Sequence, residues 1–218
     1  MKRNATLFTG LCLVLAFVVW TILVSTIDVK TIGPEGSSVG FSTLNGYIHD
    51  LTGVNMSLYQ LTDWLGLVPI GTALGFAILG LIQWIKTKSL LKVDRRILLL
   101  GVFYIVVIGA FLLFEVLVIN YRPVLIEGKL EASYPSSTTM LTLSVMPSAM
   151  IELNSRIKNQ AFKLCTMSII LIFTVFMVVA RLISGVHWFS DIIGGVLLSA
   201  GLVMIYYYWH KAYGAKTG

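Results

Sequence analysis

The chain has 218 residues, of which 57% are hydrophobic and only 12% charged, and its mean hydropathy is +0.88. Soluble domains carry roughly 25% charged residues, so this composition excludes a soluble globular protein and predicts an integral membrane protein with little length left for a second domain. The net charge of +6 is accounted for by lysines and arginines that flank apolar segments, and it calls for no nucleic-acid partner.

Apolar runs of bilayer length predict six transmembrane helices in one all-α domain spanning 1–218: Leu7 to Ser25, Leu65 to Ile85, Ile97 to Ile119, Ser137 to Leu153, Leu164 to Ile183 and Trp188 to Trp209. The first run is long for a signal peptide and lacks a small-residue cleavage site, so it reads as a retained span. The segment from about Thr26 to Trp64 starts Gly/Ser/Thr-rich. It then carries Leu51, Val54, Met56, Leu58, Leu61 and Leu65 at roughly helical spacing, which predicts an amphipathic helix in the membrane interface. Its His49 and Asp50 read as solvated loop residues.

The fourth span is the most polar. It holds Thr138, Thr139, Thr142 and Ser144 and is interrupted by Pro147, which suits a helix packed inside a bundle. Cys12 and Cys165 both fall in apolar runs, so no disulfide is expected.

Twelve of the 16 Lys and Arg residues fall at the termini, the 2–3 loop and the 4–5 loop: Lys2, Arg3, Lys86, Lys88, Lys92, Arg95, Arg96, Arg156, Lys158, Lys163, Lys211 and Lys216. The positive-inside rule therefore predicts cytoplasmic termini. Lys30, Arg122, Lys129 and Arg181 fall on the opposite side, which becomes extracytoplasmic.

Ionisable groups at the edge of hydrocarbon are costly, and such clusters mark function. Arg181, His187 and Asp191 are spaced R-x5-H-x3-D across the break between the last two spans. A helix starting near Trp188 puts His187 and Asp191 on one face, where the carboxylate orients the imidazole. On the same side, the third span ends in Tyr121-Arg122-Pro123 and the fourth begins Ser133-Tyr134-Pro135-Ser136-Ser137-Thr138.

Together these segments resemble the type 2 phosphatidic acid phosphatase family of membrane lipid phosphatases, whose motifs are K-x6-R-P, P-S-G-H and S-R-x5-H-x3-D. The resemblance covers about half the chain. It implies a six-helix bundle that removes phosphate from lipid phosphates without a metal or cofactor, through a phosphohistidine. His187 would be the nucleophile, with Asp191 behind it and Arg122 and Arg181 on the phosphate. Guanidinium forks suit phosphoryl oxygens, and the first turn of the fourth helix, with Ser136, Ser137 and Thr138, offers free N–H groups and hydroxyls.

The chain departs from the family pattern at three positions: Glu115 replaces the first-motif lysine, Thr138 the second-motif histidine and Ala180 the third-motif serine. Two helical turns separate Glu115 from Arg122, which favours an ion pair between them, the alternative being a protonated carboxylic acid able to donate. Lys129 is a candidate replacement cation. The resemblance implies that the missing histidine protonates the leaving group. An alkoxide needs such an acid, whereas a phosphate monoester, with a second pKa of ~6, needs it far less. Lipid diphosphates, such as polyprenyl diphosphates, are thus the expected substrates. Two alternatives stay open: a phosphotransferase with a lipid or sugar acceptor, and a pseudoenzyme that binds phospholipid.

Overall fold

A computed structural model of the chain describes residues 2–214, so Lys216 lies outside the described residues. The described chain contains eight α-helices: α1 (Lys2–Thr26), α2 (Ser42–Thr52), α3 (Met56–Leu65), α4 (Leu67–Thr87), α5 (Arg95–Val116), α6 (Ser137–Arg156), α7 (Gln160–Ile183) and α8 (Phe189–Gly214). Five segments are long and apolar enough to cross a membrane: Asn4–Thr26, Met56–Thr87, Arg95–Val116, Gln160–Ile183 and Phe189–Tyr213. The protein is therefore an all-α, multi-pass membrane protein.

The helix predicted as the fourth span, α6, is the one long helix outside that group, and it runs unbroken through Pro147. Its polarity follows from its position. Thr142, Ser144, Ser148 and Glu152 are fully buried between α5, α7 and α8, whereas Phe8, Leu15, Leu74, Ile105 and Ile172 on other helices are more than half exposed. Large apolar groups face outward and small polar groups sit at the helix contacts, the pattern of a bundle built for lipid, beside a buried apolar cluster that includes Phe17, Leu100, Phe103 and Tyr206. Tyr104 Oη and Ser148 Oγ lie 3.2 Å apart, and Ser199 Oγ donates to the Met140 carbonyl at 3.0 Å.

The central helix is α8. It packs along α1, with Gly10 and Gly201 so close that a methyl group on either would press on the other's carbonyl, and it also contacts α6 and α5. The first long connection holds two helices where one was expected. Gly53, at a φ of +61°, ends α2, and the Asn55 side chain caps α3 by accepting from Leu58 N at 2.9 Å. Gly66 alone separates α3 from α4.

The helix expected to run to Ile119 ends at Val116. The chain then forms a hairpin in which Arg122 N donates to the Glu131 carbonyl at 3.0 Å and Ser133 N to the Asn120 carbonyl at 2.9 Å. Its tip pairs Ile126 with Lys129 around Glu127 and Gly128, both at positive φ, as a tight two-residue hairpin turn requires.

Candidate active site

At one end of the bundle, three segments converge: the 120–133 hairpin, the α7–α8 turn and the start of α8. The turn depends on Gly185. Its φ is +67°, and a Cβ there would collide with the Gly53 carbonyl of the α2–α3 break, while Asn55 N donates to the Ser184 carbonyl at 3.0 Å. His187 follows two residues later and is 3% exposed.

The hairpin grips the imidazole at both nitrogens. Arg122 Nη1 lies 3.0 Å from Nε2, and because a guanidinium can only donate, Nε2 is the acceptor. Nδ1 therefore carries the proton, and the Ser133 carbonyl stands 3.2 Å from it, with Ser133 Oγ also at 3.2 Å. This tautomer leaves the Nε2 lone pair facing the guanidinium. Burial, then the charges of Arg122 and Arg181, hold the His187 pKa well below the usual imidazole value, so the ring is neutral near pH 7.

Asp191 is fully buried, and its Oδ2 is 3.8 Å from His187 Nδ1, beyond hydrogen-bonding distance. Ser133 stands between them: its hydroxyl donates to Asp191 Oδ2 in a short bond, and its carbonyl receives the imidazole proton. Asp191 Oδ2 also accepts from Trp188 N at 3.0 Å, so the carboxylate caps its own helix in the manner of a capping box. Asp191 Oδ1 accepts from Asn120 Nδ2 at 3.1 Å. Behind it, Asn45 of α2 bonds Ser190 twice, its Nδ2 donating to Ser190 Oγ at 2.9 Å and its Oδ1 accepting from Ser190 N at 3.0 Å.

The second guanidinium is held from α3. Arg181, 1% exposed, donates from Nη1 to Thr62 Oγ1 at 3.0 Å and lies over the Tyr59 ring, 4.7 Å from its centroid, with Asp63 3.7 Å away. Tyr59 also lies 6.0 Å from the Arg122 guanidinium carbon. Among the described residues, the Nε of Arg181 and the hydroxyl of Ser136 are buried without a hydrogen-bond partner. Ser136 precedes the first turn of α6, and its own N–H donates to the Asp191 carbonyl at 3.1 Å.

Other expected site residues stand further out. Ser137 and Thr138 are half-buried and line the upper end of an apolar groove between α4, α5 and α6. The ion partner of Arg122 is Glu131, at 3.1 Å, and not Glu115, because α5 ends before Arg122 and breaks the helical register that would have aligned the two. Glu115 is exposed beside Ser133 and Ser137, and Lys129 is exposed at the hairpin tip. His49 is not a solvated loop residue. It is half-buried against Trp188, ring centroids 5.4 Å apart, and burial lowers its pKa.

Sequence reasoning missed Asn45, Asn120, Ser133, Tyr59 and Thr62 as site residues. Asn120 alone carried a signal, a lone amide at the end of an apolar run beside Arg122.

At one end of a multi-pass membrane bundle, the fold thus brings two buried arginines, an imidazole and a carboxylate together. Residues 116–215 match the sequence model of the PAP2 superfamily. Among solved structures it is similar to a transmembrane PAP2 type phosphatidylglycerolphosphate phosphatase from Bacillus subtilis. The TM-score is 0.54 and the identity 19%, over 97% of this chain and 98% of the other. No curated protein sequence matches it.

Proposed function

We propose that the chain hydrolyses a lipid phosphate, with preference for a polyprenyl diphosphate, through a phosphohistidine on His187 at the extracytoplasmic membrane face. The observation that carries this reading is the fixed tautomer of His187, whose Nε2 lone pair is held 3.0 Å from a phosphate-binding guanidinium. His187 Nε2 attacks the terminal phosphorus, the N–P bond forms as the bridging P–O bond breaks, and lipid monophosphate leaves. The phosphoimidazole keeps its proton on Nδ1, where the Ser133 carbonyl and Asp191 offset the positive charge. Water then attacks phosphorus and the N–P bond breaks, releasing inorganic phosphate and a proton.

Arg122, Arg181 and Ser136 receive the phosphoryl oxygens. A phosphoryl group supplies the acceptors that buried Arg181 Nε and Ser136 Oγ lack among the described residues. The groove between α4, α5 and α6, about 760 Å³ and walled by Ile70, Leu74 and Phe111, suits an apolar tail whose head lies near Ser137 and Asp63. Thr138 supports the diphosphate preference: a hydroxyl cannot replace an imidazolium as acid, and a phosphate leaving group does not require one.

The test is phosphate release by purified protein across lipid mono- and diphosphates. Prenyl diphosphate should be turned over faster than phosphatidic acid, and the reverse order overturns the preference. Acid-labile labelling of the wild type by a radiolabelled donor, absent in His187→Ala, tests the intermediate and separates an enzyme from a lipid-binding pseudoenzyme. Product analysis with added lipid or sugar acceptors separates a hydrolase from a transferase.

A further inference from the structure

At the end of the bundle opposite His187, a cavity of about 550 Å³ opens between the last turns of α6 and α8. Arg96, Asn154, His210 and Lys211 supply its polar lining, and Met150 and Met167 part of its apolar lining.

The charges there do not cancel. Glu152, fully buried, accepts from Tyr206 Oη at 2.7 Å and lies 3.1 Å from His210 Nε2 and 3.2 Å from Arg156 Nη2. Asp94 is committed to Arg156 at 2.8 Å. Asp94 also accepts from the backbone N of Arg96 at 2.9 Å, so neither carboxylate is paired with the Arg96 guanidinium or the Lys211 ammonium. Arg96 is half-buried and, among the described residues, its guanidinium has no ion pair or hydrogen bond; Lys211 rests its ammonium over the Tyr207 ring, 4.7 Å from the centroid. Two cations therefore meet one cavity with no ion-paired anion among the described residues.

We infer that this cavity is a binding site for an anionic phospholipid of the leaflet at that end, with the headgroup phosphate between Arg96 and Lys211. The acyl chains leave over Met150 and Met167. A planar fork beside a point cation suits a phosphodiester, and basic pockets between transmembrane helices at a membrane edge take acidic lipid headgroups. A free anion would match the cations but not the apolar wall. Trp209, 45% exposed one residue from His210, stands where an aromatic side chain sits at the headgroup level. The lipid bridges α6 to α8 and Arg96 of α5, so its occupancy stabilises the packing around Glu152. The site is separate from the His187 cluster, and the inference stands without the proposed reaction.

The test is thermal unfolding of the purified full chain in neutral detergent, titrated with phosphatidylglycerol, phosphatidylcholine or inorganic phosphate. Native mass spectrometry of the same samples counts bound lipid. Phosphatidylglycerol should raise Tm by roughly 5–10 °C at about a hundredfold excess over Kd, with one lipid retained. Phosphatidylcholine and phosphate should do neither. The double variant Arg96→Gln/Lys211→Gln should lose the shift while keeping its turnover in lipid-free detergent. Met167→Trp keeps both cations, fills the cavity and should lose the shift as well. An equal response to phosphatidylcholine, a response to phosphate alone, or an undiminished shift in either variant overturns the assignment.

Discussion

Arg122 and Ser133 stand at neighbouring positions on the two strands of one hairpin and hold opposite nitrogens of His187, at 3.0 and 3.2 Å. Arg122 comes to the ring from a position 65 residues earlier in the chain, and Ser133 from 54. One side of the imidazole is thereby fixed as donor and the other as acceptor before any substrate arrives.

Replacing either reacting partner should be severe. His187→Ala should abolish phosphate release while leaving the helical circular-dichroism spectrum intact. Arg122→Lys keeps the charge but loses the fork and its bond to Glu131, and should lower kcat/KM by about 10²–10³. Retained turnover in His187→Ala refutes the nucleophile.

Ser133 and Asp191 should differ in cost. Ser133→Ala keeps the backbone carbonyl that receives the imidazole proton, so a fall of about tenfold in kcat is expected, the worth of one hydrogen bond. Asp191→Asn keeps one acceptor oxygen, so it loses either the bonds from Ser133 and Trp188 or the bond from Asn120, together with the charge behind the ring, and should cost about 10²–10⁴. Steady-state kinetics of the two variants decide this, and an equal loss in both argues that Ser133 carries the whole effect of the carboxylate.

The pH profile follows from the direction of the His187 shift. Its folded pKa lies well below the ~6.5 of an ordinary imidazole, so the acidic limb of kcat/KM should fall below that pH. The unfolded chain takes up this proton first, so the same group removes folding stability as pH drops through ~6.5 and further toward the folded value. Tm in detergent should decline over that window, and less so in His187→Ala.

Gly185→Ala should damage the site without touching its chemistry. A left-handed alanine costs about 1–2 kcal/mol, and its methyl meets the Gly53 carbonyl, so a Tm lower by at least ~2–4 °C is expected. Because the turn carries His187, kcat should fall with it. Gly71→Ala, inside α4 where a methyl group meets nothing within 4 Å, provides the contrast.

The membrane character, the helix sequence and the Arg122, Arg181, His187, Asp191 cluster were legible because each leaves a local trace: apolar length for a span, spacing for a motif. Contacts across long sequence distance leave none. Asn45 sits in a polar stretch with no periodicity to mark it, yet it bonds Ser190 beside the carboxylate. The hairpin was obscured because apolar residues run on to Ile119 after helical geometry stops at Val116. That continuity is what suggested the Glu115–Arg122 pair. Ser133 was visible only as a neighbour of the Pro-Ser pair, since backbone carbonyls have no signature in a sequence. Two helices replaced one in the first connection because Gly53 outweighed an apolar pattern that fitted a single helix.

Glu152 carries a consequence for how the helices are held together. Of the groups that satisfy it, Arg156 lies one turn away on the same helix, but Tyr206 and His210 belong to the final helix, some fifty residues later. The buried carboxylate of α6 is therefore fully satisfied only where α8 lies packed against it, which ties the burial of the most polar long helix to the docking of a distant one.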